Sequence, residues 1–154
     1  MSSGSDLRRA LEASGLRSGG TVSFHHHLRN GDAVLNATLD ACAALDLRDI
    51  TVAASSIFPC HAPMIDHIAS GCVGRIVTSY MVGPVADAIS LGRMRAPVTF
   101  QTHGGRAHAI TSGALPIDLA VIAAPAYDVA GNLGGADGPN ACGPLGYAMV
   151  DAAY

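Results

Sequence analysis

The chain has 154 residues and a mass of 15.6 kDa, which is the size of one domain. Hydrophobic residues make up 49% of it and charged residues only 14%, which excludes an intrinsically disordered chain. Its nine basic residues are all arginines, and twelve acidic residues bring the formal net charge to -3. That balance argues against a nucleic-acid-binding protein that acts through a broad cationic surface. The composition is typical of an α/β enzyme domain.

The first half of the chain alternates between helix-like and strand-like patterns. A short helix is predicted over residues 7–14, and a strand over residues 21–24. Asp32 is placed to cap a second helix, whose apolar positions begin at Val34. Residues 50–54 form an apolar run without polar alternation, which predicts a strand covered on both faces.

The second half continues this alternation. A helix is predicted from Pro63 to Gly71, and another over residues 84–91. Further strands are predicted in this order: residues 75–79, 98–101 and 119–123. The glycine-dense residues 131–146 predict a shaped loop without regular structure.

Repeated strand–helix alternation predicts a three-layer α/β/α fold with a mainly parallel sheet and right-handed crossovers. We divide the chain into an N-terminal helical segment, residues 1–15, and an α/β domain, residues 16–154. Ligands of such sheets bind at the carboxyl ends of the strands, and polar residues and glycines cluster there in this sequence. The candidate substrate-binding residues are His25, His26, His27, Arg29, Asn30, Gly31, Ser55, Ser56, Ser79, Tyr80, His103, Gly104, Gly105, Arg106 and Asn132.

Three consecutive histidines follow the first predicted strand. On an extended backbone His25 and His27 face the same side, and a metal site would need a third ligand such as His61 or Asp32. Nothing in the spacing specifies that ligand, and there is no HExxH motif. We favour neutral imidazoles that line a pocket and hydrogen-bond a carboxylate or thioester oxygen, with structural packing as the alternative.

The segment from residue 102 to 106 combines two glycines with an arginine. Gly104 and Gly105 would let backbone N–H groups approach a ligand closely, and Arg106 would bind an anion. The chain contains no lysine and no GxGxxG motif, so neither a Walker loop nor a dinucleotide fingerprint is present. An ordinary surface turn is the alternative interpretation.

The sequence also bears on cellular targeting and on the redox state of the cysteines. No basic segment followed by an apolar core begins the chain, and no apolar run reaches the roughly 20 residues of a membrane helix. The four cysteines, Cys42, Cys60, Cys72 and Cys142, form no CxxC pair. We therefore expect a cytoplasmic protein without membrane contact, with reduced and mostly buried thiols.

Several of these segments together resemble the citrate lyase alpha subunit family, in the same order and from about residue 16 to the end. The segments are residues 21–27 with 29–32, 53–59, 78–80 with 83–86, 102–107, 123–125 with 131–132, and 141–148. Ser79–Tyr80, and Asp128 with Gly131 and Asn132, are also similar to the wider family I CoA-transferases.

This resemblance implies a transferase that exchanges acetyl for citrate on the CoA-like thiol of an acyl carrier protein. It implies a CoA-transferase-like fold of the NagB/RpiA type, present as an incomplete half. CoA or the carrier's CoA-like group would be bound as a thioester, with no metal. The implied partners are the second half of the alpha chain, the lyase (beta) subunit and the acyl carrier (gamma) subunit, in an oligomer without nucleic acid.

The sequence departs from the family pattern at the nucleophile. Its single glutamate, Glu12, lies in the N-terminal helix, so we expect the catalytic glutamate outside this chain. Two other functions stay open: a catalytically incomplete fragment that only folds and binds, and a histidine-based metal hydrolase. A sheet that lacks its final strand would keep an unpaired edge and associate through it.

Overall fold

Helices and strands alternate through the computed structural model, which describes residues 3–25, 33–138 and 141–154. The helices are α1 (Ser3–Ser14), α2 (Val34–Ala44), α3 (Met64–Ser70), α4 (Pro84–Ser90), α5 (His103–Thr111) and α6 (Ala148–Ala153), with a 3₁₀ turn at Pro59–His61. The strands are β1 (Thr21–His25), β2 (Ile50–Ile57), β3 (Val73–Met81), β4 (Thr99–Phe100), β5 (Leu119–Ile122), β6 (Ala126–Tyr127) and β7 (Leu133–Gly134). None of the described helices is long and apolar enough to cross a membrane.

Five strands form a parallel sheet in the order β4-β3-β2-β1-β5. The chain builds outward from β1 through β2 and β3 to β4, and then returns to add β5 on the other side of β1. The strand order therefore reverses at β1, which is where doubly wound sheets open a crevice for ligands. The predicted parallel α/β sheet is confirmed.

The two faces of the sheet are covered unequally. Val22 and Phe24 of β1 point into a large core built with α1 to α4, in which Phe24 is 1% exposed. Ala53 of β2 and Val77 of β3 point the other way and pack in a smaller core with Ala109 of α5. This alternation assigns each strand residue to one of two faces, because successive side chains point to opposite sides.

Strands β2 and β3 are longer than predicted. Pairing continues through Ser56 opposite Tyr80 to Ile57 opposite Met81. Ile57 is fully buried, so apolar burial extends the strand past the expected end at residue 54. Ser55, Ser56, Ser79 and Tyr80 consequently lie within strands rather than in loops after them.

The predicted glycine turn at residues 102–106 is wrong, because these residues begin helix α5. Thr102 caps the helix, and its Oγ1 accepts a hydrogen bond of 2.9 Å from the N–H of Gly105. Glycine is unfavourable in an α-helix, but this helix has a buried face. Its buried residues, at helical spacing, are Arg106, Ala109 and Ile110. Packing of this face outweighs the low helix propensity.

Part of the glycine-rich segment is also regular, contrary to the prediction. Leu133 pairs with Tyr127, and Gly134 with Ala126, in an antiparallel hairpin. Two-residue strands carry no periodic pattern, so sequence alone does not reveal them.

The four cysteines are free thiols with different burial. Cys42 and Cys72 are buried, Cys60 is partly buried and Cys142 is exposed. Burial, and to a smaller extent the neighbouring Cys72, raise the pKa of Cys42 to about 12. Because only a thiolate is reactive, the Cys42 thiol is inert at neutral pH.

Candidate functional site

A row of polar residues crosses the sheet near the carboxyl ends of its strands. Register pairs Phe24 with Ala54, Ala54 with Thr78, and Thr78 with Phe100. One residue further along, the same register places four polar residues at neighbouring positions: His25, Ser55, Ser79 and Gln101. By alternation this polar row faces the same side as Ala53 and Val77, which is the side covered by α5.

The polar row has unused hydrogen-bonding capacity. Ser79 Oγ and Gln101 Oε1 are buried, and neither has a hydrogen-bond partner among the described residues. A buried polar atom without a partner costs about 1–3 kcal/mol, so native proteins contain few of them. Such atoms are candidates for hydrogen bonds to a ligand.

Gln101 is a site candidate that sequence reasoning missed. Its backbone N–H donates to Thr78 O at 2.9 Å, which extends the β3–β4 ladder by one residue. Side chains along a strand point alternately to the two faces of the sheet, and this alternation would have placed Gln101 on the same face as Thr99.

Two predicted site residues, Ser56 and Tyr80, lie one position beyond the polar row. Ser56 pairs with Tyr80, and the next pair, Ile57 with Met81, packs in the larger core. The Tyr80 ring is half exposed and lies 5.8 Å from the Phe58 ring. Ser56 and Tyr80 therefore follow the polar row and are not members of it.

The first turn of α5 lies at the carboxyl edge, because β4 leads directly into it. His103, Gly104 and Gly105 are exposed there. The His103 ring lies 6.1 Å from the ring of Tyr147, the residue before α6. Unpaired N–H groups and the helix dipole make such a terminus favourable for an anion.

Arg106 was expected to be available for an anion at the carboxyl edge, but the structure buries it. It is 3% exposed, and its Nη1 donates to Asp151 Oδ2 at 3.0 Å. Its Nη2 donates to Asp151 Oδ1, to Ser23 Oγ at 2.9 Å and to Ala53 O at 3.1 Å. The helix turns this residue inward, so its charge binds a buried aspartate and ties α5 and α6 to the sheet.

Asn132 belongs to the turn of the β6–β7 hairpin. Asp128 Oδ1 accepts the N–H groups of Ala130 and Asn132 at 2.9 Å each, and its Oδ2 accepts Asn132 Nδ2 at 2.7 Å. The Asn132 side chain and backbone, followed by the backbone N–H groups of Ala130 and Gly131, lower the pKa of Asp128. Asp128 is therefore a turn-forming carboxylate.

Acidification will loosen this hairpin turn. Because the folded pKa of Asp128 is lowered, the turn's hydrogen bonds are complete above the ordinary value of 3.8 and are lost as pH falls through the folded pKa. In an NMR titration the amide protons of Ala130 and Asn132 will shift together, with a midpoint below 3.8. In Asp128→Asn this coupled shift will be absent, and a wild-type midpoint at or above 3.8 would contradict the assignment.

An apolar groove of about 770 Å³ opens beside the polar row. It lies between the hairpin, residues 143–146 and α6, and its side-chain walls include Ile122, Leu133, Leu145, Met149 and Ala152. Ile122 pairs in register with His25, so the groove begins where the polar row ends. Its size is that of a small-molecule site.

Five predicted site residues cannot be placed. His26, His27, Arg29, Asn30 and Gly31 lie outside the described residues, as does the predicted cap Asp32. Across residues 3–25, 33–138 and 141–154, no group of three or more histidines, cysteines or carboxylates could hold a metal ion. His61, proposed as a third ligand, is fully buried, and its Nδ1 accepts the N–H of Phe58 at 3.0 Å.

Glu12 is remote from the polar row. It is exposed on α1 and pairs with Arg8 at 3.3 Å. Helix α1 leads through a short turn to the first residue of β1, so Glu12 belongs to the amino side of the sheet. The polar row itself contains no carboxylate.

Comparison with known proteins places the whole described chain in one family. The model of the family described as citrate lyase, alpha subunit, matches residues 3–154. The chain is 46% identical to the citrate lyase alpha chain of Escherichia coli (strain K12) over 147 residues, which cover 96% of this chain and 29% of that one. It is 43% identical to the citrate lyase alpha chain of Haemophilus influenzae, covering 96% and 30%. The chain thus spans about 30% of the length of these curated relatives.

A solved structure agrees with this sequence similarity. The alpha subunit of citrate lyase from Streptococcus mutans, crystallised in complex with citrate, superposes with a TM-score of 0.93 at 47% identity. The match covers 96% of this chain and 29% of that one. A family match over nearly every residue, together with the same fold, leads to one conclusion: this chain belongs to the citrate lyase alpha subunit family.

Proposed function

We propose that this chain is the N-terminal part of a transferase that exchanges acetyl for citrate on the CoA-like thiol of an acyl carrier protein. The reaction converts an acetyl thioester and citrate into a citryl thioester and acetate. The observation that carries the proposal is the polar row at the carboxyl edge, in a chain of this family. Its relative from S. mutans was crystallised with citrate.

The polar row supplies hydrogen bonds rather than a nucleophile. The Ser55 and Ser79 hydroxyl groups and the His25 imidazole can donate to a carboxylate or a thioester carbonyl oxygen. Donors fixed by the strand ladder need no reorganisation when negative charge develops on that oxygen. The first turn of α5 adds backbone N–H groups at the same edge.

The exchange also needs a carboxylate that attacks the thioester carbon. Asp128 is held by its turn, Asp151 is held by Arg106, and Glu12 lies on the amino side. We therefore assign the nucleophile to the part of the alpha polypeptide that relatives carry beyond the matched 30%. The alternative is a chain that folds and binds but does not catalyse the exchange, because the part with the nucleophile is absent.

Edge strand β5 is the contact we propose for partners. Among the described strands it pairs only with β1, and all four of its residues are partly exposed. An unpaired, partly apolar edge favours addition of a further strand. The partners are the rest of the alpha chain, the lyase subunit and the acyl carrier subunit, in the cytoplasm.

Citrate titration tests the binding part of this function. We expect the wild-type chain to bind citrate in isothermal titration calorimetry, and Ser55→Ala combined with Ser79→Ala to weaken binding by about tenfold or more, because hydrogen bonds to charged groups contribute about 1.5–3 kcal/mol each. Ser90→Ala, an exposed position at the end of α4, will leave it unchanged. Failure of the wild type to bind citrate would refute the proposal.

Acetate release tests the assignment of the nucleophile. With an acetyl thioester and citrate, the 154-residue chain alone is expected to release acetate no faster than the uncatalysed mixture. Release at a rate typical of enzymes, about 1 s⁻¹ or more, would mean that a group on this chain attacks the thioester.

A further inference from the structure

A second pocket opens at the amino edge of the sheet, opposite to the polar row. This amino-edge pocket has a volume of about 520 Å³ and lies between the end of α3, the start of β3 and the segment that joins α4 to β4. Strand β3 spans the distance between the two places, because Arg75 lines the pocket and Ser79 belongs to the polar row. Four residues of extended strand separate them by about 13 Å. A small ligand in the pocket therefore makes no contact with the polar row.

The amino-edge pocket is lined by three arginines with exposed side chains, Arg75, Arg93 and Arg95. Across residues 3–25, 33–138 and 141–154, none of the three forms an ion pair with a carboxylate. Of the other arginines that the structure describes, Arg17 alone also lacks such a partner. The arginines that have one are Arg8, Arg9, Arg48 and Arg106. Unpaired guanidinium groups are thus concentrated at this pocket.

One carboxylate lines the amino-edge pocket, and it leaves the arginines uncompensated. Asp49 packs against the backbone of β3, where its Cα and Oδ1 would each lie 2.9 Å from a Cβ added at Gly74. Three positive charges and one negative charge therefore line the pocket, on a chain whose formal net charge is -3. A local excess of positive charge in a concave site attracts anions.

The carboxyl end of α3 does not account for these arginines. The last carbonyl oxygens of a helix attract cations, and Ser70 and Gly71 line the pocket. However, Ser70 O already accepts Arg48 Nη1 at 2.6 Å. The carbonyl oxygen of Ile68 accepts the N–H of Gly71 at 3.1 Å. The helix end is satisfied by its own neighbours, and the three arginines remain available to a ligand.

We infer that the amino-edge pocket binds a small anion that carries linked phosphate groups, either inorganic diphosphate or the diphosphate group of a nucleotide. Guanidinium groups make paired hydrogen bonds to phosphate oxygens. The three groups come from two segments, Arg75 from β3 and Arg93 and Arg95 from the segment before β4, so an anion with several oxygens can bridge them. The volume lies within the range of small-molecule sites, about 300–1,000 Å³. This inference goes beyond the proposed function and does not depend on it.

Phosphate fits this charge better than carboxylate does. A phosphate monoester carries about 1.5–2 negative charges and three acceptor oxygens, whereas a carboxylate carries one charge and two oxygens. Linked phosphate groups also hold their charges close together, as the three arginines do. Citrate, with three separated carboxylates, is therefore the competitor that the pocket is expected to bind more weakly than diphosphate.

Isothermal titration calorimetry with inorganic diphosphate tests the amino-edge pocket. Arg75→Gln and Arg93→Gln are each expected to weaken diphosphate binding by about tenfold or more, because each removes charged hydrogen bonds to the anion. Arg8→Gln removes the same charge from the exposed side of α1 and will leave the affinity unchanged. All three side chains are exposed, so thermal unfolding will be the same in the variants and the wild type.

ADP and adenosine distinguish the two sources of the diphosphate group. Binding of ADP without binding of adenosine supports the site and assigns it to a nucleotide, whereas binding of inorganic diphosphate alone supports it and assigns it to the free anion. Three results would overturn the inference: no binding of diphosphate at millimolar concentration, equal affinity in the wild type and the Arg75 and Arg93 variants, or displacement of diphosphate by an equal concentration of citrate. The Ser55 and Ser79 variants test citrate binding at the polar row, so this inference and the proposed function can fail separately.

Discussion

Replacing Asp151 with alanine will lower the free energy of unfolding by about 3–5 kcal/mol, because it leaves the charge of Arg106 buried and uncompensated. The Asp151 carboxylate is fully buried and the Arg106 side chain is 3% exposed. The substitution also removes the acceptor for the Ser23 hydroxyl, and Arg106 Nε already lacks a partner among the described residues. Urea denaturation of the wild type and the variant measures the loss.

Two further variants separate charge from packing. The double variant Arg106→Met with Asp151→Leu removes both charges and is expected to recover most of the lost stability, since apolar replacements of a buried ion pair are often neutral. Asp137→Ala, at an exposed position, will change stability by no more than about 0.5 kcal/mol. A loss below about 1 kcal/mol for Asp151→Ala would mean that water reaches the pair.

Replacing Gly135 with alanine will disrupt one wall of the groove. An added Cβ would overlap the carbonyl oxygen of Gly143 and lie 3.0 Å from Cys142 Sγ. The same residue's carbonyl oxygen accepts the N–H groups of Cys142 at 2.8 Å and Gly143 at 2.9 Å. Relieving the overlap requires these bonds to break, so we expect a loss of about 2–4 kcal/mol from overpacking and lost hydrogen bonds together.

The neighbouring glycine provides the control. A Cβ at Gly134 would meet no atom within 4 Å, so Gly134→Ala is expected to change stability by no more than about 0.5 kcal/mol. Urea denaturation compares the two variants, and NMR spectra show whether the change in Gly135→Ala is confined to the hairpin and residues 141–146. Equal stability of the two variants would mean that this wall of the groove is loosely packed.

The sheet was predictable because its signals are local. Apolar runs of four to eight residues, with glycine or proline between them, specify buried parallel strands. Helix α5 was not predicted, since Gly104 and Gly105 are unfavourable in a helix and the packing of Ala109 and Ile110 that stabilises it exists only in the folded chain. The β6–β7 hairpin is too short to carry a pattern.

The sequence was sufficient to predict that the site lies at the strand ends, but not on which face of the sheet its side chains lie. Because side chains alternate, Ser55 and Ser56 point to opposite sides, and the sequence indicates neither side. Gln101 was not predicted as a site residue, because attention went to the glycines and the arginine of residues 102–106 that follow it. Arg106 pairs with a residue 45 positions away, and such a contact exists only once the chain has folded.

The register between His25 and Ile122 joins the rigid polar row to an adaptable groove. Ser79 and Gln101 are held by the strand ladder, so substitutions there change the hydrogen-bonding groups of the polar row without moving its backbone. The groove is assembled from a hairpin, a glycine-rich segment and a short helix, whose backbone can shift with little cost to the sheet. Mutations can therefore change the polar row and the groove independently of one another.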